Sequence, residues 1–140
     1  MATAVQANTL TLKVEFKKIK QLQGNLIIEL FDLSRSTPQD WQEIQPIAHH
    51  TITLKSFKQT FQFSELSTGR YAIRVFQDIN NNQLLDKSTS DLPLEPVGFS
   101  QNPSLFKGEP TIEDCAINLN NDNDISITLR HRKSKRKRRH

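Results

Sequence analysis

Apolar and polar residues alternate along several short segments of the chain, the pattern of half-buried β-strands. In LTLKVEF (residues 10–16), Leu and Val alternate with Thr, Lys and Glu before the run ends at Phe. HTITL (50–54) and TFQF (60–63) also predict strands. RYAIRVF (70–76) does so most strongly, with Tyr71, Ile73 and Val75 on one face and Ala72 and Phe76 on the other. NLIIELFD (25–32) has a continuous apolar run, which predicts a strand that is buried on both faces or central in its sheet.

Turn signals separate these segments, and no helical periodicity of useful length is present. Thr37-Pro38 fits the start of a short helical turn, after which Trp41 could anchor the loop on the core. The proline-rich segment DLPLEPVGFSQNP (91–103) is unsuited to a central strand. DCAINL (114–119) and DISITL (124–129) flank LNNDND and predict a hairpin. The whole pattern indicates an all-β fold, an antiparallel β-sandwich of about seven strands, with a small barrel as the alternative.

Length and charge divide the chain into three parts. Its 140 residues suffice for one domain with a real core. The formal charge of +4 is uneven, because the last eleven residues contain eight Lys and Arg and no Asp or Glu. The rest has eleven basic residues against fifteen acidic ones, so an acidic body carries a basic tail. We predict a flexible N-terminus (1–8), a sandwich domain (9–130) and a disordered basic tail (131–140).

The basic tail is a candidate site for polyanions such as nucleic acid, anionic lipid or acidic polysaccharide, which it would attract by counterion release. No aromatic residues interleave with its charges, so binding would be nonspecific. An equally open interpretation is a solvated end that aids solubility. The candidate residues are Arg132, Lys133, Lys135, Arg136, Lys137, Arg138 and Arg139.

A second candidate is the loop QDINNNQLLD (77–86), in which oxygen-bearing residues recur at alternate positions, as in linear calcium loops. The candidate ligands are Asp78, Asn80, Asn82, the Leu84 carbonyl and Asp86. Two carboxylates, Gln83 at the usual glycine position and Thr89 at the twelfth position predict weak affinity, about 10⁻⁴ M or weaker. The alternative needs no ion, because Asn and Asp side chains form turns with their own backbone.

Other residue types that carry chemistry favour structural roles. Cys115, the single cysteine, lies in an apolar-alternating stretch and is expected to be a buried, inert thiol. Tyr71 follows the turn at Gly69, as in tyrosine corners, where the hydroxyl bonds nearby backbone. His49 and His50 are neighbours on a strand and point to opposite faces, which disfavours a shared metal. The acidic residues Glu95, Glu113 and Asp114 are a remote candidate for acid–base chemistry.

Several of these segments together resemble a bacterial family, domain of unknown function 2141. The resemblance rests on LIIELFD, LSTGRYAIRVFQDINNNQLLD, LPLEPVGFS and PTIEDCAINL in that order, and it covers most of residues 9–130. Gln83 replaces the loop glycine of the family, and Ile112 replaces an aromatic residue. The resemblance implies a transthyretin-like or other immunoglobulin-like sandwich that is usually exported, and it implies no firm activity.

Together these features predict a noncatalytic β-sandwich module that binds or supports an unidentified protein or cell-envelope partner and holds one weak calcium ion. Polyanion binding through the tail is the alternative. The resemblance favours a periplasmic or secreted location, and a cytoplasmic one is the alternative. MATAVQANTL lacks the basic and apolar regions of a signal peptide, although AVQA resembles a cleavage site. No apolar run approaches the ~20 residues of a membrane span.

Overall fold

A computed structural model of the protein describes residues 9–35, 41–79, 96–105 and 108–130. These residues form eight strands and two short 3₁₀ turns, and no helix among them is long and apolar enough to cross a bilayer. The strands are β1 (Leu10–Lys17), β2 (Asn25–Asp32), β3 (Ala48–Thr53), β4 (Gln59–Leu66), β5 (Gly69–Asp78), β6 (Val97–Phe99), β7 (Ile117–Leu119) and β8 (Asn123–Thr128); the 3₁₀ turns are Trp41–Glu43 and Glu113–Cys115.

The strands form two sheets, which confirms the predicted all-β sandwich. One sheet has three strands in the order β4-β1-β8. The other has five strands, in which β3, β2 and β5 are neighbours and β6 and β7 both pair with the far edge of β5. Strand pairs are antiparallel except β1–β8, which is parallel, with Val14 beside Ile125.

The predicted hairpin between 114–119 and 124–129 is wrong. β7 pairs with β5 through Tyr71 and Ile117, whereas β8 pairs with β1 in the other sheet. The polar connection LNNDND therefore carries the chain from one sheet to the other. A hairpin within one sheet and a crossover between two sheets have the same local pattern, which is two alternating segments around a polar turn. In both arrangements each segment buries one apolar face in the same core.

The main core lies between the two sheets. Leu12, Val14 and Phe16 of β1 meet Leu26, Ile28 and Leu30 of β2, and the Ile73 and Val75 side chains of β5 join them. All of these side chains are essentially fully buried. Each such burial stabilises the fold by roughly 1.5–3 kcal/mol relative to exposure.

A second apolar layer covers the outer face of the five-stranded sheet, and we call it the outer layer. Ile27 and Phe31 of β2 and Ala72 and Phe76 of β5 point into it, which confirms that both faces of β2 are buried. The chain segments around Trp41 and from 108 to 116 cover these side chains. Further members are Leu33, Val97, Phe99, Ile112 and Cys115.

The two sides of the sandwich differ. On one side β6 and β8 meet, and a bridge joins Val97 and Arg130 through two backbone hydrogen bonds of 3.1 and 2.8 Å. On the other side lie the edge strands β3 and β4. There the His50 ring stands 4.7 Å from the Phe61 ring and 6.0 Å from the Phe63 ring, between centroids.

Candidate ion loop and the charged cluster of the outer layer

The candidate calcium loop starts at the buried end of β5. Asp78 is fully buried and lies opposite Asn25 of β2. Gly24, directly before β2, has a φ of 74°. Its missing side chain lets the backbone before β2 approach the end of β5, because a Cβ on Gly24 would lie 2.0 Å from the Asp78 carbonyl oxygen. Asp78, the first predicted calcium ligand, therefore lies where two backbone segments pass close to each other and not on a freely solvated turn.

Gln77 fixes the same region from the other face of β5. Its side-chain amide donates hydrogen bonds to the carbonyl oxygens of Gln21 (2.9 Å) and Gln23 (2.8 Å). Its backbone N–H donates to the Pro96 carbonyl at 2.9 Å. Because Pro96 directly precedes β6, the two ends of the connection between β5 and β6 lie side by side and are held by the sheet.

Of the predicted calcium ligands, only Asp78 can be located. Asn80, Asn82, Leu84 and Asp86 lie outside the described residues, so the ligand set as a whole is untested. Within the described ranges, no group of three or more His, Cys, Asp or Glu side chains is arranged to hold a metal ion. The seven predicted polyanion-binding residues between Arg132 and Arg139 also lie outside the described part of the chain.

A charged cluster that the sequence interpretation missed lies in the outer layer. Nη2 of Arg74 is 2.8 Å and Nε 2.9 Å from Oε1 of Glu29, and Nη1 is 3.4 Å from Oε2 of Glu109. The three side chains are only 18%, 13% and 18% exposed, respectively. One guanidinium thus bridges carboxylates from β2 and from the covering segment, which ties that segment to the sheet.

Aromatic rings complete this cluster. The guanidinium carbon of Arg74 lies 5.1 Å from the centroid of the Trp41 ring and 5.6 Å from that of the Phe31 ring, within cation–π range. Trp41 also contacts Phe99, at 5.4 Å between centroids, and its Nε1–H donates to the Pro110 carbonyl at 2.9 Å. Trp41 therefore anchors its loop, as predicted, and it does so on the outer layer.

Signals for this cluster are present in the sequence. Glu29 interrupts the apolar run of β2, Arg74 interrupts that of β5, and the two residues lie directly opposite each other in the antiparallel pair. A single acidic and a single basic residue inside two apolar strands indicate a cross-strand ion pair. The contribution of Glu109 has no comparable local signal, because it depends on how the covering segment folds back.

Ser100 is a second residue that was missed. Its backbone N–H donates to the Ile73 carbonyl, and its hydroxyl accepts from the Ile73 N–H, both at 2.9 Å. The hydroxyl also donates to the Cys115 carbonyl. β6 and β7 pair with the same edge of β5, and Ile73 lies between the two ladders. Ser100 therefore supplies the hydrogen-bond partners of the Ile73 backbone at this edge.

Tyr71 and Cys115 have the predicted structural roles. The Tyr71 hydroxyl donates to the Ser67 carbonyl at 2.7 Å, and burial, with the Asp32 charge, raises the pKa of the phenol. Cys115 is fully buried, and burial raises the pKa of its thiol to about 12. A thiol with this pKa stays protonated near neutral pH and is a poor nucleophile or metal ligand.

The remaining candidates do not come together. His49 lies opposite Glu29 and His50 opposite Ile28, so the two imidazoles point to opposite faces of the sheet, as predicted. Glu113 pairs with Arg70 at the surface, while Glu95 lies outside the described residues. The structure therefore provides no test of the acidic pair that would involve Glu95.

The fold and these contacts define the class of the protein, a two-sheet β-sandwich with an additional apolar layer on its larger sheet. The family described as "Uncharacterized protein conserved in bacteria (DUF2141)" matches residues 14–127, and the chain belongs to this family. The match spans all eight strands except the ends of β1 and β8. Neither a curated protein nor a solved structure matches the chain significantly.

Proposed function

We propose that this protein is a noncatalytic β-sandwich module, exported to the periplasm or the cell exterior, whose β5–β6 connection binds one weak structural calcium ion. The observation that carries the ion is the position of Asp78, which is fully buried at the start of a D-x-N-x-N sequence. A calcium ion at this point would pin a connection whose two ends the sheet already holds together.

A noncatalytic role is supported by the tasks of the chemically capable side chains. The hydroxyl of Ser100 completes the edge of β5, and the thiol of Cys115 is buried with a raised pKa. Arg74, Glu29 and Glu109 bind one another in the outer layer. Each of these groups makes contacts that stabilise the sandwich. Such structural roles support a module that presents a surface to an unidentified protein or cell-envelope partner.

Thermal unfolding in the presence of calcium tests the ion. With a dissociation constant of about 10⁻⁴ M, about 10 mM Ca²⁺ adds ~2.7 kcal/mol of stability. That raises the melting temperature by on the order of 10 °C, and weaker binding gives a smaller rise. Mg²⁺ at the same concentration should have less effect, because it demands octahedral geometry and gives up its water reluctantly.

Three variants sharpen this test. Asp78→Ala should abolish the rise, and Asp86→Asn, which changes a more distant ligand of the predicted set, should abolish or strongly reduce it even if Asp78→Ala fails to fold. Asp124→Asn is the matched control, since Asp124 is exposed on β8 in the other sheet. An unchanged melting temperature of the unsubstituted protein in calcium would overturn the ion proposal.

The location is tested separately in the native bacterium. We expect the protein in the periplasmic or secreted fraction, because the resemblance favours export. Recovery with cytoplasmic marker proteins would support the alternative, cytoplasmic location. The ion and the location are independent, so a failure of one leaves the other standing.

A second candidate function is polyanion binding through the tail. The described chain ends at Arg130, whose backbone N–H and carbonyl are bonded to Val97 at the edge of the sandwich. Seven further basic residues, from Arg132 to Arg139, follow this fixed point. The residue directly before the tail is thus fixed to the sandwich.

Binding to duplex DNA at several salt concentrations tests this candidate. If all seven charges contact phosphates, the logarithm of the association constant should fall against the logarithm of the salt concentration with a slope of about −6. Deletion of 131–140 should remove the binding. Equal binding by the shortened chain would contradict the role of the tail.

A further inference from the structure

Two loops lie side by side at one end of the sandwich. Residues 18–24 connect β1 to β2, and residues 54–58 connect β3 to β4, so each loop passes from one sheet to the other. The end of β1 pairs with the start of β4, and the start of β2 pairs with the end of β3. The two loops and Lys17, the last residue of β1, therefore form one surface, which we call the lysine end.

The lysine end is basic. It contains five lysines and no Asp or Glu, and all five lysines are exposed. They are Lys17, Lys18, Lys20, Lys55 and Lys58. The opposite end of the sandwich carries exposed carboxylates: Asp32 lies at the end of β2, and Oδ1 of Asp122 accepts a hydrogen bond from the Thr11 N–H near the start of β1. The two ends of the sandwich therefore differ in charge.

Two exposed apolar side chains stand among these lysines. Phe57 is 54% and Leu22 is 42% exposed. A third large apolar residue that is exposed in the described part of the chain is Ile47, whose N–H donates to the Leu30 carbonyl at the opposite end of the sandwich. A single exposed apolar residue is ordinary, but two on neighbouring loops within a basic surface form a distinct feature.

The first of the two loops holds Leu22 in its exposed position. Ile19 is buried in the main core and anchors the loop soon after β1. The side-chain amide of the buried Gln77 donates to the carbonyl oxygens of Gln21 and Gln23, at 2.9 and 2.8 Å. Because the residues on both sides of Leu22 are held by the same amide, this part of the backbone is already ordered before any partner binds.

The second loop holds Phe57 in a similar way. Leu54, directly after β3, is buried in the main core. The Ser56 hydroxyl accepts a hydrogen bond from the Lys58 N–H at 3.0 Å, which closes the backbone around Phe57. Both exposed apolar side chains thus stand on loops that the fold holds in place, and this lowers the entropy that docking would cost.

We propose that the lysine end docks on the surface of an anionic lipid bilayer. Phe57 and Leu22 would enter the boundary between headgroups and acyl chains, where apolar side chains leave water, and the lysines would lie at the lipid phosphates. Basic and apolar residues together match such a surface, because it combines negative charge with an apolar layer. A fluid layer also accepts apolar side chains from two loops without preformed pockets.

The proposal rests on the proposed function in one respect, since it identifies the bilayer as the cell-envelope partner of the module. Neither the calcium ion nor the basic tail takes part in it. A melting temperature that does not respond to calcium therefore leaves the bilayer proposal standing. In the same way, a failure of the vesicle test below leaves the calcium ion and the tail standing.

Co-sedimentation of the full chain with lipid vesicles tests the proposal. One set of vesicles contains phosphatidylcholine with about 30% phosphatidylglycerol, an anionic lipid that attracts lysine. The other set contains phosphatidylcholine alone, and a chelator removes calcium from both. In about 0.15 M salt, which screens distant charges, we expect binding to the anionic vesicles and much weaker binding to the neutral ones. Absence of binding to the anionic vesicles would overturn the proposal.

Phe57→Ser separates the lysine end from the basic tail. The substitution removes apolar surface and leaves every charge in place, so binding through the tail alone would not change. We expect about 10-fold weaker binding to the anionic vesicles, because the exposed part of the ring is no longer transferred out of water. Ile47→Ser at the opposite end is the matched control and should bind like the unsubstituted chain. Binding of Phe57→Ser as strong as that of the control would contradict the proposal.

The fluorescence of an introduced tryptophan tests the orientation. Phe57→Trp places an indole at the lysine end, and Ile47→Trp places one at the opposite end. When anionic vesicles are added, the emission of Phe57→Trp should shift to shorter wavelength, because its indole leaves water, whereas that of Ile47→Trp should not shift. The native Trp41 is buried and contributes equally to both. An unshifted Phe57→Trp, or equal shifts of the two variants, would rule out docking through the lysine end.

Duplex DNA distinguishes the bilayer from other polyanions. DNA offers phosphates without an apolar layer, so Phe57→Ser should bind DNA as strongly as the unsubstituted chain does. A loss of DNA binding as large as the loss of vesicle binding would show that Phe57 acts in polyanion binding in general. That result would contradict the bilayer as the partner of the lysine end.

Discussion

The outer faces of the two sheets contrast in what covers them. On the three-stranded sheet, Lys13 and Glu15 point outward and are exposed. On the five-stranded sheet, Ile27 and Phe31 point outward and are fully buried beneath the segments around Trp41 and from 108 to 116. The same strand geometry thus gives a solvated face in one sheet and a second core in the other, and the difference is already visible in the alternation of β1 and the continuous apolar run of β2.

The charges of the two faces differ in the same way. Lys13 and Glu15 are exposed, and water screens their charges. The loss of a charged partner therefore lowers the free energy of unfolding only slightly. Arg74, Glu29 and Glu109 are less than one fifth exposed and depend on one another. Removing Arg74 leaves the desolvated Glu29 and Glu109 without the cation that they share. Similar side chains should therefore have small effects on one face and large effects on the other.

The largest expected effect concerns Ile27. Ile27→Ala should lower the free energy of unfolding by about 2–5 kcal/mol, as much as Ile28→Ala in the main core, because both side chains are fully buried. Denaturant unfolding measures both changes, and Glu15→Ala on the solvated face is the control, expected within about 0.5 kcal/mol. A cost for Ile27→Ala as small as the control would mean that the outer layer is not a core.

The next effect concerns the charged cluster. Arg74→Ala should lower the free energy of unfolding by about 3 kcal/mol, because Glu29 and Glu109 lose the cation that they share in a partly buried site. Arg70→Ala is the matched control: its partner Glu113 is 65% exposed, so the cost should be about 1 kcal/mol or less. Equal losses in the free energy of unfolding for the two variants, measured with denaturant, would show that solvent screens the charges of the outer layer as well as those at the surface.

The smallest effect concerns the access of solvent to Cys115. The native thiol should react with a thiol reagent at neutral pH far more slowly than the unfolded chain, because it is fully buried. The control is Thr60→Cys in a Cys115→Ala background, which places a thiol on the exposed face of β4. Comparable reaction rates for Cys115 and for the thiol introduced by Thr60→Cys, each in the folded protein, would show that solvent reaches the outer layer.

The raised pKa of Cys115 adds a pH dependence to this comparison. The thiol ionises near 9.0 in the unfolded chain and near 12 in the folded one, so above pH 9 the unfolded state binds fewer protons. The contribution of this group is therefore fully present below pH 9 and decreases by at most ~1.4 kcal/mol per pH unit above it. Cys115→Ala should flatten the alkaline fall in stability; an unchanged fall would assign it to other groups.

Much of the fold could be predicted locally. The alternation of Tyr71, Ile73 and Val75 identified the core face of β5, and the spacing from Gly69 identified the tyrosine corner. The partners of strands could not be predicted in the same way. β7 and β8 alternate like the two arms of a hairpin, yet they pair with β5 and β1 in different sheets. The candidate calcium ligands are likewise a local pattern, of which the structure locates Asp78 alone.

The sequence by itself determined which side chains face a core and where the strands turn, because a strand places alternate residues on opposite faces whatever its partner. Only the tertiary structure decided that Glu109 meets Arg74 and that Ser100 completes the edge of β5. These contacts join residues far apart in the chain, whose approach depends on how whole sheets and covering segments pack and not on the residues next to them.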